Sequence, residues 1–439
     1  MSRLQLHRFD EAVENAARFP MSGSVTRSLG LVIEGYCPGA QRGNVCEVSS
    51  GSVRSLAEVV GFHGEQVVLM PLGDAKGIGM GSRIRILERK PTFKCGPELL
   101  GRVIDAKGNP LDGKPAPLLD QKFSIYSRPI NPMKRARITE PLDLGVKAIN
   151  GLITVGKGQR LSIMAGSGVG KSVLLGMIAK STTADVNVFA LVGERGREVR
   201  EFIEEILGEE GMQRSVVVCA TSDMPALVRM RAAYVATTIA EYFRSLGADV
   251  LLMMDSVTRF AMAQREVGLA AGEPPTTKGY PPSAFSLLPQ LFERAGSLTS
   301  GGSITGIYTV LVDGDDINDP IGDAVRSIVD GHIVLSRKMA SMNQFPAIDI
   351  LNSTSRVMSQ VASPEQVKLA GKLRSVLATY SEAEDLINIG AYVKGSNKNI
   401  DESVALIEGV RTFLQQKSTE KVAYADCVAQ LLKCLGGKV

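Results

Sequence analysis

The sequence predicts an α/β protein: a mostly parallel sheet covered by helices on both faces, with a small β-barrel ahead of it and a helical segment behind it. Three observations carry this expectation. Between residues 139 and 361, near-continuous apolar runs alternate with helical patterns, as strands buried on both faces require. Between 22 and 88, short β-branched runs are separated by glycines, the pattern of a small closed sheet. From 363 onward the pattern is helical, opened by Ser363-Pro364-Glu365-Gln366, a capping box with proline at the first helical position.

Four segments follow in order. Over 1–20, Phe9, Ala12, Val13, Ala16 and Ala17 fall at helical spacing and predict a short amphipathic helix. Two roles fit it: a helix lying on its own barrel, or a docking helix for a partner. Over 21–92 the barrel strands are expected at 31–33, 45–48, 65–70 and 83–87. A link rich in Pro, Gly and Lys over 108–132 reads as loops and turns, and the basic run Lys134-Arg135-Ala136-Arg137 reads as solvated surface.

The α/β segment, 93–362, carries strands at 160–164, 186–192, 215–220, 250–254, 304–311 and 332–335. Helices are expected at 171–180 and 225–246. The second has an apolar face of Leu227, Met230, Val235, Ile239, Tyr242, Phe243 and Leu246, with Asp223 to cap it, Pro225 in its first turn and Gly247 to end it. The helical segment, 363–439, includes a second capping box at Ser381 and Glu384 and helices near 402–416 and 422–435. No period of 20–50 residues emerges, which argues against a repeat array.

Composition excludes several classes. A net charge of +4 over 439 residues does not mark a nucleic-acid or anionic-membrane binder. The six cysteines form no C-x-x-C pair and the three histidines are scattered, so neither a zinc site nor a disulfide framework is expected. Free thiols fit a reducing compartment. The N-terminus lacks the apolar stretch of a signal peptide, and no apolar run reaches the roughly 18 to 20 residues that span a bilayer. The expected location is the cytoplasm.

The strongest motif is Ala165-Gly166-Ser167-Gly168-Val169-Gly170-Lys171-Ser172. It fits a phosphate-binding loop, with Ala165 in place of the first glycine. An apolar strand precedes it and a helix follows, the context that the motif demands. Gly166, Ser167, Gly168, Val169 and Gly170 would turn backbone N–H groups toward phosphate oxygens at a helix N-terminus. Lys171 would reach the β- and γ-phosphates and the Ser172 hydroxyl would bind Mg²⁺. A second apolar strand, 250–254, runs into Asp255, a carboxylate placed to hold Mg²⁺ through water. Standing alone, such a residue would read as a turn cap. A third strand ends in Gly193-Glu194-Arg195-Gly196-Arg197-Glu198. Glu194 can orient a water in line with the γ-phosphate, with Glu198 as a further carboxylate on the metal side. A charged surface turn with internal salt bridges is the alternative reading of the same six residues.

Together these stretches resemble the nucleotide-binding subunits of rotary ATP synthases and their export relatives, with a RecA-like P-loop core. Residues 346–355, Pro-Ala-Ile-Asp-Ile-Leu-Asn-Ser-Thr-Ser, resemble the α/β-subunit signature decapeptide. Residues 273–283, Glu-Pro-Pro-Thr-Thr-Lys-Gly-Tyr-Pro-Pro-Ser, are similar to a loop of type III export ATPases. The stretch Gly390-Ala391-Tyr392-Val393-Lys394-Gly395-Ser396 resembles the flagellar branch more than the virulence branch.

The resemblance implies ATP hydrolysis with Mg²⁺, of the protein-secreting or proton-transporting type. It makes Glu194 the catalytic carboxylate, Arg195 and Arg259 nearby positive groups, Arg356 an arginine finger reaching a neighbouring subunit's γ-phosphate, and Phe345 the ring that stacks on adenine. It implies a homohexamer whose 273–283 loop lines a central opening. The partners implied are a central coiled-coil stalk protein, a peripheral-stalk-like regulator, export chaperones with their substrates, and the membrane export gate. The chain would then sit peripherally at the cytoplasmic face of the inner membrane. Three alternatives stay open: a virulence injectisome ATPase with the same chemistry; a rotary ATP synthase or vacuolar-type catalytic subunit, disfavoured because one chain here carries both Glu194 and the finger-like Arg356; and a transcription-terminator-type RNA helicase. The last would need stacking aromatics in the barrel, where only Tyr36 and Phe62 occur between 22 and 88.

Overall fold

The computed structural model describes residues 22–312 and 319–437. The helix expected over 1–20 lies outside the described residues. The chain divides into two compact units, one comprising Met1–Pro91 with Glu266–Glu273, the other Thr92–Arg265 with Pro274–Val439.

The first unit is a closed antiparallel barrel. Its strands are β1 (Ser22–Leu29), β2 (Val32–Tyr36), β3 (Val45–Ser50), β4 (Val53–His63), β5 (Gln66–Pro71) and β6 (Arg83–Glu88). They pair in the order β1-β2-β5-β4-β3-β6, and β1 closes on β6 with Gly23 opposite Ile84. Closure leaves no free edge. Val25, Ile33, Cys46, Val48, Ala57, Val59, Val67, Leu69 and Ile84 fill the interior. A Cβ on Gly35 would stand 2.6 Å from the Ser24 carbonyl oxygen, so only glycine lets β1 and β2 approach there. Two strands were not expected. β1 fully buries only Val25 and so shows no apolar run. In β4 the register shifts between Val59 and Gly61, breaking the two-residue alternation.

The second unit is built on one sheet. Its strands are β8 (Arg102–Asp105), β10 (Arg160–Ala165), β11 (Val186–Val192), β12 (Ser215–Ala220), β13 (Asp249–Asp255), β14 (Gly296–Ser297), β15 (Ser303–Leu311), β16 (Gly331–Leu335) and β17 (Ile348–Ser355). The order is β17-β16-β10-β15-β13-β11-β12-β8, with β14 beside β15. All neighbours run parallel except the pairs made by β14 and β17. Every residue of β11 and β12 is buried, as helices on both faces demand. The helix Ala226–Ser245 lies in this core with Leu227, Met230, Val235, Ile239, Tyr242 and Phe243 buried.

The helical segment is packed into the same core. It consists of Pro364–Asn388, Lys398–Leu414 and Tyr424–Cys434. Leu373, Val410, Phe413 and Cys427 share one hydrophobic cluster with Ile149, Leu152 and the sheet strands. Polar side chains fix the register. Gln416 accepts from the Lys147 N–H at 2.8 Å and donates to the Gly145 carbonyl at 2.7 Å. Ser363 caps its helix by accepting from the Gln366 N–H at 3.2 Å. Gln366 does not return the bond; its amide donates to the Asn150 carbonyl and to Thr154, both at 2.9 Å.

Several expectations are corrected. The link over 108–132 is not all loop: a strand β9 (Gln121–Ser124) pairs with β7 (Thr92–Cys95). The basic run at 134–137 is not simply solvated, because Arg135 donates inward to the Ala295 carbonyl at 2.8 Å and pairs with Glu293. Asp223 does not cap the helix Ala226–Ser245, whose N-cap is Pro225; Asp223 instead bonds Thr221. Leu246 is exposed, since the helix has ended, while Gly247 takes the left-handed turn expected of it. Ser381 and Glu384 start no helix: they lie inside Pro364–Asn388, and Glu384 pairs with Arg411 at 3.5 Å. The signature decapeptide is mostly strand β17.

One buried ion pair was not visible in the sequence pattern. Arg294, 1% exposed, pairs with Glu241 through Nε at 2.9 Å and Nη2 at 2.7 Å. It also donates to the Ile125 carbonyl at 2.8 Å and to Thr238 at 2.9 Å. Removing one partner leaves a buried charge uncompensated, which costs about 3–5 kcal/mol. Arg294→Ala is therefore expected to lower unfolding free energy by about that much, read from urea titrations followed by circular dichroism. A loss below about 1 kcal/mol would show the pair to be dispensable.

Candidate active site

The carboxyl ends of β10, β11, β13 and β15 meet at one place. β10 stops at Ala165, whose carbonyl accepts from the Val312 N–H at 3.0 Å. The loop that follows turns through Gly168 and Gly170, with φ +77° and +89°. These left-handed values are open to glycine and strained for other residues. Ala165 itself is the last residue of a regular strand, paired with Leu311 and Leu335. That position asks nothing of glycine, which explains why alanine stands there. The helix Lys171–Ser181 begins at once, placing Lys171 and Ser172 in its first turn.

Lys171 is held between two carboxylates. Its ammonium pairs with Asp255 Oδ1, and Glu194 Oε1 lies 3.7 Å away. All three side chains are largely buried. Asp255 Oδ1 also accepts from the Thr309 hydroxyl at 2.7 Å. One cation among two carboxylates leaves the cluster a proton short of neutrality, and Glu194 responds. Its carboxyl is pushed up to about 7, first by burial and then by the Asp255 charge, with Lys171 opposing both. Glu194 Oε1 is buried without a hydrogen-bond partner, an acceptor left over for a group that enters the site.

The remaining expected residues divide into near and far. Arg259 lies on the helix Val257–Ala270, and its Cβ would stand 3.0 Å from a Cβ built on Gly193, so it packs beside the loop that carries Glu194. Its Nε is buried without a partner. Glu198 bonds Glu194 and pairs with Arg195 at 3.5 Å, but its side chain is 51% exposed. Arg195 is 80% exposed and points to solvent. The internal salt bridge of the surface-turn reading is thus present beside the site carboxylate.

Phe345, half-exposed, borders a cavity of about 720 Å³ that runs from the phosphate loop toward the helical segment. Its ring lies 3.6 Å from where a Cβ on Gly170 would be. Val169, Val173 and Met177 form one wall, and Thr412, Gln415 and Gln416 form another. Such a cavity, with an apolar wall facing a polar one beside a phosphate cradle, fits a nucleobase.

Arg356 is brought nowhere near this cluster. In β16, Leu335 pairs with Ala165 at the phosphate-loop edge, and Ile348 of β17 pairs with Leu335. β17 then runs back, so that Ser355 pairs with Gly331 at the opposite edge. The Arg356 N–H continues that edge by donating to the Asp330 carbonyl at 2.9 Å. Four strand residues, about 13 Å at roughly 3.3 Å each, separate the two edges. The Arg356 side chain is exposed and makes no ion pair among the described residues.

Comparisons with known proteins agree along the whole chain. The nucleotide-binding domain of the ATP synthase alpha/beta family matches residues 145–355, and the beta-barrel domain of that family matches 27–88. The T3SS EscN ATPase C-terminal domain matches 362–433. The flagellum-specific ATP synthase of Bacillus subtilis (strain 168) is 52% identical over 98% of this chain and 98% of its own. The assembled ATPase EscN of the enteropathogenic E. coli type III secretion system superposes with a TM-score of 0.90 at 46% identity, covering 94% of this chain and 100% of that one. EscN in complex with its central stalk EscO gives 0.87 at 45% identity, with the same coverage.

The chain belongs to the flagellar and type III secretion ATPase family. It is an ATP hydrolase with a β-barrel, a RecA-like nucleotide-binding core and a C-terminal helical region. No helix among the described residues is long and apolar enough to cross a membrane.

The sequence reading of the site missed its supporting residues. Thr309 is a β-branched residue inside an apolar strand and reads as an ordinary strand former. The cavity wall at 412–416 is 240 residues from the phosphate loop and carries no motif. Among the described residues, no group of three or more His, Cys, Asp or Glu gathers to hold a metal. A Mg²⁺ ion here would take most of its oxygens from phosphate and water, as that ion commonly does.

The raised Glu194 value has a sign that can be tested. If Glu194 is the base it must be ionised to accept a proton, and kcat/KM for this ATPase is then expected to rise with pH through a midpoint near 7. Glu194→Asp should displace that limb. A rate flat between pH 5.5 and 8.5 would separate Glu194 from proton transfer. Stability moves the other way. Between the ordinary carboxylate value and about 7 the folded chain keeps a proton that the unfolded chain has released, so this group makes stability fall as pH rises across that window.

Proposed function

We propose that this ATPase works as a homohexameric ring that hydrolyses ATP with Mg²⁺ at sites shared between neighbouring subunits, and that it powers type III protein export in the flagellar apparatus, including chaperone release and substrate unfolding. The observation that carries the shared site is the position of Arg356, at the sheet edge opposite its own phosphate loop and without a partner charge among the described residues. An exposed guanidinium held there serves a site other than its own. The solved structure of assembled EscN supports self-assembly for a chain of this kind.

Within one site the geometry supports the following proposed roles. The backbone N–H groups of 166–170 and the Lys171 ammonium bind the β- and γ-phosphates, Lys171 exchanging its bond to Asp255 for phosphate oxygens. Ser172 and Asp255 would hold Mg²⁺, with Glu198 behind them, and the ion would supply positive charge to the phosphates. Glu194 accepts a proton or hydrogen bond from the attacking water as that oxygen forms its bond to phosphorus and the bond to the β-phosphate oxygen breaks. Arg259 adds positive charge nearby, with Arg195 facing solvent beside Glu198, and Phe345 stacks on the adenine. Arg356 of a neighbour neutralises charge on the transferring group, an effect worth roughly 10³- to 10⁵-fold in rate.

The partners proposed are a central coiled-coil stalk, as EscN has in EscO, a peripheral-stalk-like regulator, export chaperones with their substrates, and the membrane export gate. The chain would work in the cytoplasm, docked at the inner face of the membrane. An injectisome role shares all of this chemistry, and EscN itself belongs to such a system. Affinity capture of the tagged full chain from its own cells is expected to bring down flagellar export components. Recovery of injectisome components alone would assign the other branch.

The shared site has a direct test. Arg356→Ala is expected to bind ATP almost normally and to hydrolyse it roughly 10³-fold or more slowly. Lys171→Ala is expected to be inactive. Mixing the two should restore activity, because the intact phosphate loop of one variant then faces the intact Arg356 of the other. A flat, inactive profile against mixing ratio, with mixed rings confirmed by native mass spectrometry, would rule out the shared site.

A further inference from the structure

The carboxylate that the proposed site assigns to Mg²⁺ is held by more than Lys171. Asp255 Oδ1 accepts two hydrogen bonds, one from the Lys171 ammonium and one from the Thr309 hydroxyl at 2.7 Å. Oδ2 takes none among the described residues. Thr309 is fully buried in β15, the strand hydrogen-bonded to both β10 and β13. Its hydroxyl is also 3.3 Å from the Met254 carbonyl, so it spans the last two residues of β13. One step further on, the Leu311 N–H donates to the Thr258 hydroxyl at 2.9 Å, and that hydroxyl lies 3.3 Å from the Leu311 carbonyl. The turn that carries Asp255 is therefore fastened to β15 on both sides.

These two donors to Oδ1 are not equivalent. The Lys171 side chain is long and flexible, and a phosphate competes for it. The Thr309 hydroxyl sits on a β-branched side chain with a stiff χ1, on a central strand. When Lys171 turns to phosphate, Thr309 is the donor that stays. A carboxylate held by one oxygen presents the other in a set direction, and a hydrogen bond to a ligand carboxylate tunes and orients it.

We propose that Thr309 is a positioning residue for the Mg²⁺ carboxylate, holding Asp255 by Oδ1 so that Oδ2 faces the metal once Lys171 has moved to the nucleotide. The inference rests on the reading of Asp255 as the metal-side carboxylate given above. Thr309 touches neither nucleotide nor metal and acts through Asp255 alone.

The test uses the full-length chain and a fluorescent N-methylanthraniloyl ATP, titrated in EDTA and at increasing Mg²⁺. Thr309→Val keeps shape and volume and removes the donor. It is expected to bind the probe in EDTA as wild type does, and to need roughly 10- to 100-fold more Mg²⁺ for the same gain in affinity. Thr309→Ser keeps the donor and should restore the wild-type Mg²⁺ dependence. A valine variant with unchanged Mg²⁺ dependence would overturn the proposal, as would equal weakening with and without Mg²⁺, which a merely structural role predicts. If the valine variant does not fold, Thr309→Ser against Thr309→Ala differs by the hydroxyl alone and decides the same question. Wild-type binding that gains nothing from Mg²⁺ would instead overturn the reading of Asp255 beneath it.

Discussion

The ion pair between Lys171 and Asp255 is the constraint on which the rest of the site depends. An ammonium and a carboxylate buried together cost desolvation on both sides, and only close pairing with further hydrogen bonds offsets it. The parallel sheet meets that demand. It brings the carboxyl ends of β10 and β13 to the same level with β15 between them, so Lys171 and Asp255 face each other and Thr309 completes the shell. Glu194, leaving the next strand over, enters a region that already holds one negative charge. Its raised proton affinity follows first from its burial there and then from the Asp255 charge, with Glu198 of its own loop adding to both. A lysine whose charge is already satisfied can exchange one anionic partner for another at small cost. The same pair that satisfies the Lys171 charge thereby leaves it free to turn to phosphate.

What the sequence revealed and what it hid follow one physical line. The phosphate loop was legible because backbone conformation there admits few residue types: Gly168 and Gly170 occupy positive φ, and a strand and a helix must flank them. Asp255 and Glu194 were legible as charges at the ends of apolar strands, where a charge needs a reason. The strands β10 to β13 were legible because both of their faces are buried. Hidden were the residues whose chemical type matches an ordinary role in their element. Thr309 passes for a strand former, Arg294 for a helix-end charge, and Arg135 for surface. The decapeptide at 346–355 gave no alternation because its strand lies at the sheet edge and its Asp349 bonds to local N–H groups, so only resemblance marked it. Distances through space, such as that between the 412–416 wall and Gly170, leave no trace in a single sequence.

The two ends of β17 give the proposed assembly its logic. The strand begins beside the phosphate loop and ends at the other edge of the same sheet, where Arg356 emerges. If each subunit offers its phosphate-loop edge to one neighbour and its Arg356 edge to the other, the interface joins two different surfaces. Repeated by a rotation that closes, such an interface builds a ring. It does not produce the self-complementary pairing of a two-fold dimer. An isolated chain then lacks part of every site, because the sheet itself keeps its guanidinium and its phosphate loop apart. Ile348 and Ile350 hold β17 in the core, which fixes the place where Arg356 emerges. On this reading hydrolysis waits on the neighbour, and a shift of one subunit against the next changes the distance from Arg356 to phosphate before it changes anything inside either core.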